Sequence, residues 1–236
     1  MIALCTFVVL VVIWLGILFF LRKVWFYRDP QRTAEGEFPS IISPADGRVV
    51  YIKRFSDGKI AAEKLGETIP LDEIGGTPMG QGSGWAIGIY MSPLDVHFNY
   101  CPLPGKVERI FRKTASVNFP MLDLWEYIRV VWFRKMVTMF ARRYHLENER
   151  NTIFMDCSGL KMAVVLIADK FVAKIRCYVK EEETLSYSQK LGFIERGSQV
   201  DLILFTEDVD FTVGINDQVY GGKTVIAVLK GDTEKT

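Results

Sequence analysis

Apolar residues fill positions 2–21 without a single charge, and Thr6 is the one clearly polar residue among them. At 1.5 Å per residue, a helix of this length spans about 30 Å, the hydrocarbon thickness of a bilayer. Arg22, Lys23 and Arg28 follow at once, and no Lys or Arg precedes the run. That asymmetry predicts a membrane anchor over 1–27 with the body on the cytoplasmic side. Trp25, Phe26 and Tyr27 fall where an aromatic belt lies in such anchors. A cleaved signal peptide needs a basic start, a shorter apolar core and small residues at the cut. Bulky Leu18, Phe19, Phe20 and Leu21 stand where those small residues belong. A buried core helix is the remaining alternative.

From residue 28 the period changes. Short runs rich in Val, Ile, Phe and Tyr, bounded by Gly, Pro or Asp, predict strands at 47–52, 85–91, 106–111, 161–167, 171–179, 199–205 and 224–229. The expected fold is mainly β, a sandwich-like α+β single domain over 28–236. A weak repeat supports it: 44–52 and 102–110 both read P-x-x-G-basic-V-x-x-I, two similar turn-to-strand corners. Residues 120–144 break the strand pattern. They lack glycine, carry a broad apolar arc including Trp125, Trp132, Phe133 and Phe140, and hold Arg129, Arg134, Lys135, Arg142 and Arg143. This predicts a basic, aromatic-rich helix. It either covers the core with snorkelling cations or lies against anionic lipid. Proximity to an anchor favours the second.

Composition narrows the function. The chain has 236 residues, 29 Lys+Arg against 28 Asp+Glu, and a formal net charge of +1. A near-neutral chain has no whole-protein electrostatic reason to seek nucleic acid. The mean hydropathy of +0.14 is concentrated in the anchor. Cys5, Cys101, Cys157 and Cys177 show no C-x-x-C spacing, and His97 and His145 are the only histidines. The pattern therefore predicts four reduced, buried thiols and no metal site.

Two places could carry chemistry. Asp95, His97 and Asn99 alternate after the apolar strand at 85–91, so an extended backbone puts them on one face. A histidine there is an acid/base candidate or a structural core histidine. Gly197-Ser198 heads the apolar run 199–205, without the G-x-S-x-G spacing of a nucleophile elbow. On its own it reads as the ordinary start of a strand.

Several segments, in order, resemble the phosphatidylserine decarboxylase family, especially its short branch with the archaetidylserine decarboxylase-like proteins. They are Phe26-Tyr27-Arg28-Asp29-Pro30-Gln31-Arg32 and Ser43-Pro44-Ala45-Asp46-Gly47. Then come the stretch 91–99, Glu147-Asn148-Glu149-Arg150-Asn151, the stretch 196–201, and residues 214–228 with their turn at Gly221-Gly222-Lys223.

The resemblance implies a self-processing, pyruvoyl-dependent lyase. Ser198 would attack the Gly197 carbonyl, the peptide would become an ester, and β-elimination would cut the chain. Residues 1–197 and a 39-residue chain, 198–236, would remain in one fold, since 236 − 198 + 1 = 39. Ser198 would become a pyruvoyl group that takes the substrate amine as a Schiff base, an electron sink for loss of carbon dioxide. The resemblance casts His97 as acid/base, with Asp46 supporting maturation or orienting His97. Arg150 and Arg196 are candidate headgroup binders. The longer bacterial members carry a second histidine, tied to self-cleavage, where this chain has Tyr100. Either His97 serves both steps, or Asn99 or Tyr100 assists. The implied substrate is a phosphoserine-headgroup membrane lipid, converted to the ethanolamine lipid, and a homo-oligomer is compatible with the sequence. Archaetidylserine or a soluble amino acid as substrate, and a non-catalytic membrane-tethered β-module, are the alternatives.

Overall fold

The computed structural model describes residues 2–61, 68–115, 119–123, 125–126, 129, 140, 143–169, 175–195 and 198–230. The chain opens with helix α1 (Ile2–Phe20) and one wider π-helical turn (Leu21–Trp25). Leu4–Trp25 is long and apolar enough to cross a membrane, and none of it is buried by the rest of the protein. That exposure removes the core-helix alternative, because a core helix buries at least one face.

The body is mainly β, as expected. Its strands are β1 (Ser40–Ile42), β2 (Gly47–Ser56), β3 (Lys59–Ala61), β4 (Thr68–Pro70), β5 (Gly84–Met91), β6 (Phe98–Tyr100), β7 (Gly105–Lys113) and β8 (Arg150–Cys157). They continue as β9 (Leu160–Ala168), β10 (Ile175–Cys177), β11 (Thr184–Leu185), β12 (Lys190–Ile194), β13 (Ser198–Leu204), β14 (Val209–Phe211), β15 (Gln218–Val219) and β16 (Val225–Leu229). Short helices α2 (Leu71–Gly75) and α3 (Arg143–Glu147) interrupt them.

One large sheet runs β11-β7-β8-β9-β13-β5-β2-β3-β4, with β15 also on β2. Two three-stranded sheets, β1-β16-β14 and β10-β12-β6, accompany it. The main core lies between the large sheet and the small ones, uniting Ile87, Ile89, Met91, Val164, Leu166, Val200 and Leu202 with Ile41, Ile175, Leu191 and Ile226. The other face of the large sheet carries Tyr51, Tyr90, Val165 and Ile203 and is covered by Leu71 and Ile74 of α2, Met79, Met121 and Phe140. With both faces buried, β9 runs apolar without alternation from Met162 to Ala168, while β13 carries buried Gln199 and Asp201 among Val200, Leu202, Ile203 and Leu204.

The repeated corners both open strands of the large sheet, β2 at Gly47 and β7 at Gly105. A Cβ at Gly47 would sit 2.1 Å from the Tyr90 carbonyl, and its φ of +148° favours glycine. The helix expected over 120–144 falls mostly outside the described residues. So does the first part of the strand expected at 171–179, of which 175–177 forms β10. Of the four thiols expected inside, Cys101 and Cys157 are buried in the core, whereas Cys5 on α1 and Cys177 at the end of β10 are exposed.

Candidate active site

The topology explains how the two candidate segments meet. In the large sheet β5 pairs antiparallel with β13, and Met91 lies opposite Ser198. In a small sheet β6 pairs antiparallel with β12, and Phe98 lies opposite Phe193. The chain therefore passes twice between the same two sheets, once from β5 to β6, just before which His97 stands, and once from β12 to β13, which Ser198 opens. The Ile194 amide donates to the His97 carbonyl at 3.2 Å, fastening the two.

Ser198, His97 and Asn99 are all fully buried. The Ser198 hydroxyl donates to Met91 Sδ at 3.2 Å, and the Asn99 amide points at the same sulphur from 3.6 Å. His97 Nδ1 lies 3.0 Å from the Asp95 carbonyl. A carbonyl only accepts, so Nδ1 carries the proton and Nε2 keeps the lone pair. Burial pushes the His97 pKa down to about 4, with the Asp95 carbonyl opposing and the Arg28 charge adding to the fall. The ring is therefore neutral at pH 7. Its Nε2 and Asn99 Oδ1 are buried with no hydrogen-bond partner among the described residues. A neutral imidazole in this tautomer can accept a hydroxyl proton at Nε2.

Asp95 serves differently from the expectation of one shared polar face. Its carboxylate accepts from the Ser92 amide at 2.8 Å and the Ser92 hydroxyl at 2.7 Å, closing the turn before His97. Asp46 also has other partners. It accepts from Arg32 Nη2 at 2.8 and 3.0 Å and from the Gly221 amide at 2.8 Å. Burial raises its pKa despite Arg32. No hydrogen bond joins it to His97, whose orienting group is the Asp95 carbonyl. Tyr100 faces this second group. Its ring packs on Gly221 and Gly222, and burial pushes its pKa up to about 12. Asn99 thus stands with Ser198, and Tyr100 with Arg32 and Asp46.

The structure does not bring Arg150 to this site. Along β8 it alternates with Ile153 and Met155 and so points to the opposite face from Ser198. Its Nη1 donates to the Glu73, Ile74 and His145 carbonyls at 2.6–3.0 Å, and its Nε to the Asn148 carbonyl at 3.0 Å. Asp201 lies on that same face, accepting at 2.6 Å from His145 and at 2.7 Å from Gln199. Arg150 is an interior brace here, with burial lowering its pKa to about 10. Gly197 and Arg196 lie outside the described residues.

Sequence reasoning missed the end of the anchor as a neighbour of the site. Trp25 Nε1 and Arg28 Nη2 both donate to the Leu94 carbonyl, at 3.2 and 2.6 Å. Phe26 is buried with its ring 4.2 Å from the His97 ring, between centroids. The ordered segment 26–32 was visible as a motif, but nothing in it marks which ring it meets. Met91 was missed too, since a methionine ending an apolar strand looks like core.

The family model for phosphatidylserine decarboxylase matches residues 19–227. A provisionally named archaetidylserine decarboxylase proenzyme of Methanocaldococcus jannaschii is 35% identical over 214 residues, covering 90% of this chain and 92% of that protein. Phosphatidylserine decarboxylase proenzymes of Pelobacter propionicus and Magnetococcus marinus are 30% and 28% identical. They cover 89% and 92% of this chain, and 77% and 85% of their own lengths.

Proposed function

The chain belongs to the phosphatidylserine decarboxylase family, and from that premise we propose that it is a membrane-anchored proenzyme. In this reading it cuts itself between Gly197 and Ser198 and then decarboxylates a phosphoserine-headgroup lipid to the ethanolamine lipid. What supports the reading is that two passages between the same pair of sheets lead to His97 and to Ser198, both fully buried, and that His97 is neutral with no hydrogen-bond partner for Nε2 among the described residues.

His97 Nε2 takes the Ser198 hydroxyl proton, and Oγ forms a bond to the Gly197 carbonyl carbon. The C–N bond breaks as that proton passes from His97 to the nitrogen, leaving an ester and the free Ser198 amine. Loss of the Ser198 Cα proton then breaks the Cβ–Oγ bond, and Oγ leaves as part of the Gly197 carboxylate. Tautomerisation and addition of one water release ammonia and leave a pyruvoyl group on β13.

The surroundings fit that group. Ser198 is buried at a strand end, and the Asn99 amide points at the sulphur that already holds Oγ. When present, the group supplies an electron sink for decarboxylation. This chain's residues do the rest. His97 delivers a proton to the substrate carbon, and for that step it must first be charged. The anionic headgroup supports this, since a nearby negative charge raises a histidine's pKa. Arg28, whose charge reaches His97, stands where the anchor meets the body and so at headgroup level. Asp46 keeps the Gly221 turn and Arg32 in place around Tyr100 during maturation.

The cations that follow the apolar helix, with none before it, support a cytoplasmic body, and the substrate reaches the site by search within the bilayer. Incubating the purified protein with vesicles of glycerol-ester or glycerol-ether phosphoserine lipid tests the reading. The expected result is the ethanolamine lipid plus carbon dioxide from at least one, and the faster lipid identifies the substrate branch. Release of carbon dioxide from neither lipid would contradict the reading.

A further inference from the structure

The segment that leaves the membrane does more than tether the body. Phe26 is one residue beyond the π-helical turn, and its ring is almost entirely buried. It lies 4.2 Å from the His97 ring, tilted by 39°, and 5.8 Å edge-on from Phe193. Tyr27 stacks on the outer side of Phe193 at 5.6 Å, and Phe98 lies against Phe193 at 4.9 Å. His97 thus has an apolar wall on the membrane side, built by residues 26–27 with β6 and β12.

Polar contacts pin this wall. Trp25 and Arg28 grip the Leu94 carbonyl within the turn that leads into His97. The Arg28 guanidinium also lies 4.2 Å from the Trp25 ring and donates to the Trp25 carbonyl at 2.9 Å. Asp29 pairs with Lys190 at the start of β12. The anchor end is therefore bound to the turn that leads into His97 and to the start of β12.

We propose that Phe26 is a positioning residue for His97, holding the imidazole in one orientation and shutting water away from it. The inference deepens the proposed function and rests on it for the importance of His97. An imidazole with an aromatic ring against it and its Nδ1–H on a carbonyl can neither flip nor hydrate without displacing that ring. Replacing the ring by a methyl group opens a cavity of aromatic size next to a polar nitrogen, which water enters. Water restores solvation of the charged form, so proton uptake becomes easier.

The other charged groups around the ring, among the described residues, are few. Arg28 comes from the anchor end, and Asp95 and the Arg32–Asp46 pair come from the body. Glu195, which follows β12, is held by Arg176 at 2.6 Å. Arg28 opposes a charged His97 through its field, whereas Phe26 opposes it by excluding water. Salt separates the two, since it screens the first and leaves the second.

Because the chain has only two histidines, nitrogen-15 labelling of histidine gives two ring spectra, and a His97→Gln chain assigns them. The full chain carrying Ser198→Ala, in lipid nanodiscs, is the sample; it forms no prosthetic group and needs no activity. With Phe26 intact, His97 is expected to titrate near pH 4. With Phe26→Ala, its midpoint is expected to rise by about one pH unit or more at both low and high salt, and Phe26→Leu is expected to restore most of the native value. An unchanged midpoint in Phe26→Ala overturns the proposal. Should Phe26→Ala fail to fold, cross-peaks between the Phe26 and His97 ring protons of the otherwise native chain decide, and their absence overturns it equally. Failure of lipid decarboxylation, measured separately on the mature protein, counts against the proposed function and leaves this result standing.

Discussion

A Ser198→Ala chain is expected to stay intact at 236 residues and to release no carbon dioxide from any phosphoserine lipid. The effect is chemical rather than structural. Ser198 is fully buried, yet its hydroxyl's described hydrogen bond is to the Met91 sulphur. Losing so weak a bond costs well under about 1 kcal/mol, and alanine fills nearly the same volume. The unfolding midpoint should therefore move little while cleavage disappears. Serine is required twice, first as the nucleophile and then as the oxygen that leaves. Ser198→Cys can make the first bond but leaves a different product. Persistent cleavage of Ser198→Ala at the same peptide bond would remove Ser198 from the mechanism.

The second large effect is on stability. Arg150→Met is expected to destabilise the protein by roughly 3–5 kcal/mol. Four backbone carbonyls from 73–74, 145 and 148 take their hydrogen bonds from this one guanidinium. Methionine fills the space and leaves those acceptors without donors in the interior, where hydration cannot replace them. Such a loss is a large share of a domain's usual 5–15 kcal/mol. Urea unfolding of the Ser198→Ala proenzyme, with and without Arg150→Met, measures it free of cleavage. If the unfolding midpoint stays put and the mature Arg150→Met enzyme instead shows only a raised KM for lipid, the headgroup role is restored and the brace is wrong.

These expectations show where the sequence was readable. The anchor was legible because a charge-free run of bilayer length has few other uses. Strands β5, β9 and β13 were legible because both of their faces are buried, so apolar residues dominate all three and run unbroken from Met162 to Ala168 in β9. Strand β8 was not, because Arg150, Asn151 and Thr152 open it with polar side chains that point into a core. A polar start followed by Ile153 and Phe154 suggests a loop to any pattern that equates polar with exposed. The site was half legible. The segment around His97 and the Gly-Ser step could be picked out, and their order matched a family. What brings them together is the pairing of β5 with β13 and of β6 with β12, and pairing leaves no mark on a single strand. Arg150 misled for a related reason. A cation in a family-like motif suggests an anionic ligand, while the backbone carbonyls it serves are invisible in a string of side chains.

In the proposed function the working enzyme is made from this chain by a cut at Ser198 that leaves a carbonyl in place of an amine, and the intact mass of the purified wild-type protein is the decisive measurement. The expected result is two chains. One is residues 1–197, and the other is the 39-residue segment 198–236, lighter by one ammonia than a peptide starting with free serine and refractory to sequencing from its N-terminus. A single chain of 236 residues that nevertheless decarboxylates lipid, or a small chain beginning with an unmodified serine, would contradict it.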